Sequence, residues 1–290
     1  MGNRSIRTVL AGHPTQDGAG VRIRRTLGVQ SHDLDPFLML DEIRSDAEAD
    51  FIGGFPPHPH RGIETLTLML RGGFEHRDHL GNRAQLLDGG AQWMSTGRGV
   101  IHSEMPLPGI GGLHGFQIWI NLPARDKLKE PEYAQADADA LPWRELDGGA
   151  RARAIAGSWE LDGETLRSPL QRLSANARAL EVVLSPHREQ CLAVAVEETV
   201  LVYVVAGSLR EGVNAGHLAI FGAGSTVSLT AGEHGAHLLV LAGRALGEPI
   251  VQHGPFVMNS AEEIREAIDA YRNGTLTGNS GLGNAFGVAS

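Results

Sequence analysis

Residues 64–74 read ETLTLMLRGGF, and residues 198–209 read ETVLVYVVAGSL. Each stretch opens on Glu-Thr, continues through apolar residues and reaches a glycine, a pattern typical of a buried strand followed by a turn. The two Glu-Thr pairs are 198 − 64 = 134 residues apart. Gly90 then matches Gly216 with an offset of 216 − 90 = 126, so the second copy has a loop shorter by 134 − 126 = 8 residues. This repeat predicts a duplicated β unit.

Short β-type runs separated by glycine-rich turns surround both copies. Between Ile6 and Leu122 they include VRIRRTL, PFLMLDEI and HGFQIWINL, and further runs include ALEVVLS before the second copy and HLLVLAG after it. Strands of about five or six residues at such spacing suit a sandwich or a closed barrel. A length of 290 residues favours two domains of roughly 100–200 residues each. We therefore predict an all-β chain with two tandem β-barrels.

The segment ARDKLKEPEYAQADADALPWREL is polar, charged and interrupted by proline, which is typical of a connector between domains. A tail rich in Gly, Asn and Ser, TLTGNSGLGNAFGVAS, ends the chain, and such a composition predicts mobility. The predicted domains are residues 1–125 for a first barrel, 126–147 for a linker, 148–273 for a second barrel with a closing helix, and 274–290 for a flexible tail.

One helix is predicted near the end of the second barrel. Ser260 and Glu263 have the spacing of a capping box, in which each side chain satisfies a free backbone N–H of the first turn. Ile264, Ile268 and Tyr271 then follow at spacings of four and three, which places them on one helix face. We expect this face to pack against the barrel.

Composition narrows the class of protein. A formal net charge of −9 argues against a broad basic face for phosphates, so we expect no direct nucleic-acid partner. Cys191 is the only cysteine, which excludes an intramolecular disulfide and a multi-cysteine metal cluster. No apolar run is long enough for a membrane span, and the first residues lack the apolar core of a signal peptide. A cytoplasmic protein without a membrane partner is the expectation.

Two short motifs carry the expected chemistry. His58-Pro59-His60 and His102-Ser103-Glu104 both place donor side chains at i and i+2, which project from the same face of a strand. A lone His-x-His in a β protein is more often a surface or hydrogen-bonded pair than a ligand pair. Two such motifs on neighbouring walls of one barrel could direct three imidazoles and a carboxylate at one point. The sequence therefore predicts a metal site.

The repeat offers an internal comparison. The offset of 134 carries His58 and His60 to Leu192 and Val194, and the offset of 126 carries His102 and Glu104 to Ser228 and Thr230. None of the four ligand types recurs. We therefore expect one metal ion per chain, in the first barrel, and a second interior packed largely with aliphatic side chains.

The carboxylate has a rival candidate. Glu64 follows His60 by four residues. Glu104 is favoured because it shares a strand face with His102, whereas a glutamate equivalent to Glu64 recurs as Glu198 in the half without ligands. A structural role is the simpler interpretation of Glu64.

Ligand identity alone leaves the metal open. Three neutral nitrogens and one oxygen suit iron(II), manganese, nickel, copper, cobalt or zinc. A closed structural zinc site would use all four donors in a tetrahedron. Iron(II) is the first choice, because a His-rich site with one carboxylate and free positions is the usual arrangement for non-haem oxygen chemistry.

Other side chains near these motifs have simpler interpretations. His76 and His79 flank Asp78 in FEHRDHLGN, which looks like a solvated turn, with a place at the rim of the site as the alternative. His114 is expected to be a hydrogen-bonded core or rim histidine. Three aromatic residues are expected to pack in the core or, alternatively, to form a wall of the site: Trp93, Phe116 and Trp119.

At these residues the chain resembles the pirin family of bicupins. The likeness runs from about Ile6 to Tyr271 and is most specific in residues 55–62 (FPPHPHRG), 92–105 (QWMSTGRGVIHSEM) and 254–259 (GPFVMN). The resemblance implies two cupin barrels of the jelly-roll type packed face to face. It also implies iron(II) in the first barrel, with His58, His60, His102 and Glu104 as its ligands.

Two functions follow from the resemblance. Some bacterial pirins are quercetin 2,3-dioxygenases, which open a flavonol ring with O2 and release carbon monoxide, so a small aromatic substrate and O2 are the expected partners, with Glu104 as the catalytic base. Other members act as co-regulators that sense the oxidation state of iron, which gives the alternative of a non-catalytic module that binds a protein partner. A zinc-type hydrolase is a third, weaker hypothesis.

Overall fold

The alternation of short apolar runs and turns produces a chain dominated by β-strands. The computed structural model describes residues 2–28, 34–109 and 111–278. Its strands, in chain order, are β1 (Ile6–Ala11), β2 (His13–Asp17), β3 (Val21–Leu27), β4 (Phe37–Ser45), β5 (Phe55–His60), β6 (Ile63–Arg71), β7 (Gly73–Asp78), β8 (Arg83–Leu87), β9 (Ala91–Ser95), β10 (Val100–Pro106), β11 (Leu113–Asn121), β12 (Glu132–Ala136), β13 (Arg144–Leu146), β14 (Ala150–Ala156), β15 (Ser158–Leu161), β16 (Glu164–Arg167), β17 (Arg178–Leu184), β18 (Glu189–Ala193), β19 (Glu198–Leu209), β20 (His217–Phe221), β21 (Thr226–Arg244), β22 (Val251–His253) and β23 (Phe256–Met258). Within the described ranges, the helices are α1 (Ala261–Arg272) and the single 3₁₀ turns Glu48–Asp50, Ala124–Asp126, Ala138–Ala140 and Ser174–Asn176.

These strands form two tandem barrels, as predicted. In the first, a seven-stranded sheet in the order β12-β9-β6-β11-β4-β3-β2 faces a four-stranded sheet in the order β5-β10-β7-β8. In the second, the principal sheet runs β1-β20-β19-β21-β17-β14-β13, with β18 paired to β21. The prediction of an all-β chain with two cupin barrels of the jelly-roll type and a short C-terminal helix is confirmed.

The two large sheets pack against each other through a shared apolar core. On β6, Leu66 and Leu68 belong to this core, and on β19 so do Leu201 and Tyr203. Because side chains alternate along a strand, the residues between them point into the barrels. Thr67 of β6 therefore faces a polar interior. In the second barrel the inward side chains form a separate aliphatic core that includes Val200, Val202, Val204, Leu229 and Leu238.

The N-terminal strand departs from the predicted domain boundary. Residues 1–125 were expected to form the first barrel, but β1 pairs antiparallel with β20, with Leu10 opposite Leu218, and so completes the sheet of the second barrel. The reason is that β20 would otherwise be an edge strand with unpaired backbone groups, and an extended segment pairs with such an edge wherever the chain can reach it.

The predicted linker is also more ordered than its composition indicates. Within residues 126–147, β12 pairs with β9 of the first barrel and β13 pairs with β14 of the second. The connector is therefore an edge strand of each large sheet. Its polar residues suit an edge, where one row of backbone groups faces solvent.

The end of the chain returns to the first barrel. Arg61 forms a bridge with Phe256, and Leu276 is 2% exposed in a cluster with Ile101 of β10. Residues 274–278, predicted to belong to a flexible tail, thus start as a packed segment because Leu276 has an apolar site to fill. The rest of that predicted tail, residues 279–290, lies outside the described residues.

Helix α1 begins as its sequence predicts. Ser260 is the N-cap and accepts a hydrogen bond from the Glu263 backbone N–H at 3.2 Å. Ile264 is buried, and Ile268 and Tyr271 pack against the same cluster. This helix therefore covers the outer face of the four-stranded sheet next to Ile101. No helix among the described residues is long and apolar enough to cross a membrane.

Candidate metal centre

The two predicted motifs lie on adjacent strands of the four-stranded sheet. His58 and His60 are on β5, and His102 and Glu104 are on β10, with His102 directly opposite His58. On the other side of β10, Glu104 lies opposite His76 of β7. Directly opposite residues of antiparallel strands share a face. The sheet therefore directs four imidazoles and one carboxylate into the first barrel.

These side chains form two overlapping groups. The outer group is His58, His60 and His102, and the inner group is His76, His102 and Glu104; within each, the donor atoms lie within 4.8 Å of one another. The ring centroids of His58 and His102 are 4.3 Å apart, and those of His60 and His102 are 5.1 Å apart. His102 is common to both groups. Glu104 is close to His102 but belongs to the inner group.

Hydrogen bonds fix how the outer imidazoles are presented. The Nδ1 atom of His58 lies 2.8 Å from the Pro56 carbonyl oxygen, and that of His60 lies 3.3 Å from the Pro255 carbonyl oxygen. A carbonyl only accepts, so each Nδ1 carries a proton, and in the neutral imidazole Nε2 is then the nitrogen with the lone pair. Backbone support of this kind is typical of metal-ligating histidines. For His60 this support comes from Pro255, in the second half of the chain.

Burial keeps the central imidazoles neutral. It lowers the pKa of His60, and the neighbouring His58 lowers it further. The pKa of His102 is also lowered well below the ordinary value, by burial first and then by the surrounding histidines. Both side chains therefore keep free lone pairs at neutral pH. Neither ring nitrogen of His102 has a hydrogen-bond partner among the described residues. A buried nitrogen without a partner is costly, and a bound cation would remove that cost.

Glu104 is held by two amides from the opposite sheet. Gln92 Nε2 donates to Glu104 Oε1, and Gln117 Nε2 donates to Oε2 at 2.9 Å. The Tyr133 hydroxyl lies 3.2 Å from Gln92 Oε1, and Thr67 donates to Gln117 at 2.9 Å. Each carboxylate oxygen still has a lone pair for a cation or a proton. The network thus fixes the position of Glu104 without occupying all its acceptor sites.

A cavity of about 580 Å³ opens beside the outer group. This is large enough for a drug-sized molecule. Trp119 forms one wall, with its ring 5.2 Å from that of His60 in an edge-to-face contact. Arg25 and Asp41 form a polar end, where Arg25 Nε donates to Asp41 Oδ1 at 2.8 Å. The remaining lining includes Met39, Ile43, Phe55, His58, Glu104, Gln117, Gln252 and Pro255.

The C-terminal hairpin, β22–β23, completes this site from the second half of the chain. Gly62, directly after the His58-Pro59-His60-Arg61 segment, has φ +80°, and a Cβ there would lie 2.0 Å from the Val257 carbonyl oxygen. Only glycine permits both this backbone conformation and this approach. The close contact brings Pro255 to His60. The glycine of the motif is therefore required for packing of the C-terminal hairpin.

Glu64, the rival carboxylate, lies outside both groups. Its side chain is fully buried and accepts hydrogen bonds from the Ser174 backbone N–H at 2.8 Å and from the Ser174 hydroxyl at 2.9 Å. Ser174 belongs to the second half of the chain, so Glu64 joins the two barrels. The structural interpretation of Glu64 agrees with this geometry.

Glu64 makes stability depend on pH. Burial raises its pKa from 4.5 to about 7, against the effect of the Ser174 hydrogen bonds. The folded protein therefore binds more protons than the unfolded chain between these values, and the free energy of unfolding should fall as the pH rises through that window, by at most about 3 kcal/mol. Urea unfolding at pH 5 and pH 8 measures this. Glu64→Gln keeps the shape; its amide oxygen can accept from the Ser174 backbone N–H, and its NH2 group can donate to the Ser174 hydroxyl. Because this side chain does not titrate, the variant should flatten the pH dependence, and an unchanged slope would show that Glu64 is not its source.

The repeat offset misplaces two residues of the second barrel. It carries His102 and Glu104 to Ser228 and Thr230, but the inward side chains of β21 are Val227 and Leu229. The reason is that side chains alternate with a period of two, so a slip of one residue exchanges the faces of a strand. Leu192 and Val194 do lie in that interior. The expected aliphatic filling of the second barrel is therefore present, through different residues.

The prediction for His76 and His79 was wrong. They were expected in a solvated turn, but they are 1% and 4% exposed. His76 is on β7 and stacks on Tyr133 with ring centroids 4.4 Å apart, and the Nδ1 atom of His79 accepts from the Ile101 backbone N–H. The spacing of these residues in the sequence could have indicated that His76 lies in a strand. His76-Arg77-Asp78 repeats the i, i+2 pattern of the other two motifs.

The remaining candidates behave as ordinary packing residues or line the cavity. His114 Nε2 lies 2.9 Å from Glu42 Oε1, as expected for a hydrogen-bonded rim histidine. Trp93 and Phe116 lie in the core between the sheets. Of the three aromatic residues, Trp119 is the one that lines the cavity.

Fold and site together define a bicupin with a metal-competent first barrel and an aliphatic second one. Family comparisons agree with this class. Residues 20–120 match the pirin family model, and residues 179–277 match the model of the pirin C-terminal cupin domain. The chain belongs to the pirin family.

Relatives from several kingdoms cover most of the chain. A Vibrio cholerae protein named "putative quercetin 2,3-dioxygenase" is 45% identical over 94% of this chain and 97% of its own length. Human pirin is 34% identical over 89% of this chain and 88% of its own. The crystal structure of a quercetin 2,3-dioxygenase from Acinetobacter baumannii superposes with a TM-score of 0.85, at 28% identity, over 96% of this chain and 99% of that one. A bacterial pirin from Escherichia coli in complex with nickel(II) shares the fold, with a TM-score of 0.59, at 20% identity, over 82% and 99% of the two chains.

Proposed function

We propose that the protein is a metal-dependent dioxygenase that opens the ring of a flavonol, or of a similar enolisable polyphenol, with O2. The observation that carries this proposal is that His58, His60 and Glu104 line the cavity of about 580 Å³, and that each lies with His102 in a group whose donor atoms are within 4.8 Å of one another. The names of the Vibrio cholerae and Acinetobacter baumannii proteins support the same reaction.

The proposed ligands are His58, His60, His102 and Glu104, and the proposed ion is iron(II). Neutral imidazoles with free Nε2 atoms and a clamped carboxylate fit a divalent transition metal. Nitrogen donors also suit manganese, nickel, copper, cobalt and zinc, so the native ion has to be identified by experiment. When bound, the ion would supply the one-electron chemistry through which O2 reacts with a closed-shell organic molecule.

The chain's own groups would bind and deprotonate the substrate. Trp119 offers a flat apolar wall for an aromatic ring, and Met39 and Ile43 exclude water from the same cavity. Glu104 would accept the proton of the flavonol hydroxyl at a carboxylate oxygen. Gln92 and Gln117 hold that carboxylate in place, so little reorganisation accompanies the proton transfer. Arg25 and Asp41 would face the hydroxyl groups at the other end of the substrate.

An aerobic flavonol assay tests the reaction. Protein freed of metal is loaded separately with each candidate ion and mixed with quercetin under air. Loss of flavonol absorbance, oxygen uptake and release of carbon monoxide in equal amounts are the expected results. No turnover with any of the ions would reject the proposal and favour the iron-dependent binding module.

The Glu104→Gln variant distinguishes the proposed role of Glu104 as a base from its proposed role as a metal ligand. The amide of the variant keeps an oxygen donor but cannot take the substrate proton at neutral pH, so kcat should fall by about 100-fold or more at equal metal content. Glu130→Gln is the matched control, because Glu130 is an exposed carboxylate that pairs with Arg98 on the surface. Equal kcat values for the Glu104→Gln protein and the wild type would show that Glu104 does not act as the base.

A further inference from the structure

His76 is a buried histidine next to the proposed ligands that the reaction does not use. It is 1% exposed, and its Nδ1 atom has no hydrogen-bond partner among the described residues. Its other ring nitrogen, Nε2, lies 3.2 Å from Asp78 Oδ2. An unpartnered nitrogen in a buried position is unfavourable unless something binds it.

Asp78 determines which nitrogen of His76 is free. Its carboxylate accepts from the backbone N–H groups of Leu80 and Asn82, each at 3.0 Å, and from the Asn82 side chain at 2.8 Å. These donors fix the carboxylate, which only accepts and so requires the proton of His76 on Nε2. The Nδ1 lone pair is then available. A carboxylate that orients a histidine in this way is the usual support of a metal ligand.

The side chain of His76 lies beside donors on the neighbouring strand. His76 lies opposite Glu104 in the β7–β10 register, and the donor atoms of His76, His102 and Glu104 are within 4.8 Å of one another. All three side chains are buried. Two imidazoles and one carboxylate are the donor set of many non-haem iron(II) sites.

We propose that the inner group is a second cation position, which takes a hard divalent ion such as iron(II) or manganese(II). The ligand set proposed above combines the outer group with Glu104, whereas the inner position keeps His102 and Glu104 and uses His76 in place of His58 and His60. The two positions share His102, and Glu104 is the one carboxylate within the two groups. With only one carboxylate to offset their charge, two divalent ions bound together in this buried site would repel each other strongly. A single ion therefore occupies one position or the other. This inference rests on the proposed metal centre but not on the proposed reaction.

Metal binding by a variant without the outer histidines tests the inner position. The full chain carrying His58→Gln and His60→Gln is freed of metal and titrated with manganese(II), followed by electron paramagnetic resonance, and with iron(II) under anaerobic conditions, followed by elemental analysis. It should bind close to one ion per chain. Adding His76→Gln should weaken binding by more than about 100-fold, and adding Asp78→Asn by about 10–100-fold, because the asparagine amide no longer fixes the tautomer.

His79→Gln in the same background is the matched control. His79 is buried beside the same turn, but its Nδ1 is engaged by the Ile101 backbone N–H, so binding should not change. Circular dichroism and thermal unfolding identify any variant that fails to fold, and His114→Gln then replaces His79→Gln as the control. The proposal of an inner position would be wrong if the folded His58→Gln, His60→Gln protein bound no ion. It would also be wrong if adding His76→Gln left the affinity unchanged. Two ions in the wild type would overturn single occupancy. Flavonol turnover is measured separately, so an inactive protein with His76-dependent binding would reject the reaction alone.

Discussion

The His102→Gln protein should fold normally but bind its metal ion more than about 100-fold less tightly, since loss of a direct ligand exceeds the 10–100-fold typical of a supporting residue. His102 is the one side chain common to the outer and inner groups. Its loss therefore leaves no complete donor set in either position. Folding should be retained, because neither ring nitrogen has a hydrogen-bond partner in the described structure that would be left unsatisfied.

Elemental analysis after metal loading and gel filtration measures this effect, and flavonol turnover should decline in proportion to metal content. His114→Gln is the control, since His114 is a partly buried histidine of the same barrel that pairs with Glu42 outside both groups. Full metal content in the His102→Gln protein would show that the ion does not bind at these strands.

The Lys127→Met protein should lose at least about 1–3 kcal/mol of its free energy of unfolding, the cost of leaving one buried hydrogen-bond acceptor without a donor. Lys127 is 1% exposed. Its Nζ donates to the Gly62 carbonyl at 2.8 Å, to Asn121 Oδ1 at 2.8 Å and to the Val257 carbonyl at 2.9 Å. Methionine fills the same space but leaves these three oxygens without their donor.

This substitution should also weaken the metal site at a distance. Val257 belongs to the C-terminal hairpin that brings Pro255 to His60, so loosening the hairpin removes the support of that imidazole. Thermal and urea unfolding measure the stability, and metal titration measures the site. Lys129→Met is the matched control, because Lys129 pairs with the partly exposed Glu132 and should change stability by about 1 kcal/mol or less. Equal stabilities of the two variants would contradict the buried role of Lys127.

The common strand face of each donor motif could be predicted because the information for it is local. His58 with His60, and His102 with Glu104, share a face through the alternation of a strand, and this holds wherever the strand lies in the fold. The duplicated barrels were predictable for a similar reason, since the repeat is visible as a pattern of apolar runs. Helix α1 was fixed by its N-cap and its apolar face.

His76 was not predicted because its role depends on a partner strand. The segment around it contains Glu75, Arg77 and Asp78, and taken alone this polarity indicates a solvated turn. It becomes a buried face only because β10 pairs with β7 and opposes Glu104 to His76. The misplaced residues of the second barrel have a related origin. An offset that matches glycines locates an equivalent residue to within about one position. An error of one position already exchanges the two faces of a strand, so assigning a face requires greater accuracy.

The connections between the halves were the least predictable part. The pairing of β1 with β20, the two strands of the connector and the return of Leu276 to the first barrel all join residues distant in sequence. Such pairings depend on which edges remain open after both sheets form. The composition of a segment does not indicate which sheet edges remain open.

The pairing of β1 with β20 also bears on how the molecule is made. On the ribosome, Leu10 emerges more than two hundred residues before its partner Leu218, so β1 cannot pair until most of the second barrel has been synthesised. The first barrel must therefore fold while the segment that precedes it remains unpaired. A nascent chain halted between the two halves would carry that segment as a free strand, open to capture by a neighbouring polypeptide or a chaperone.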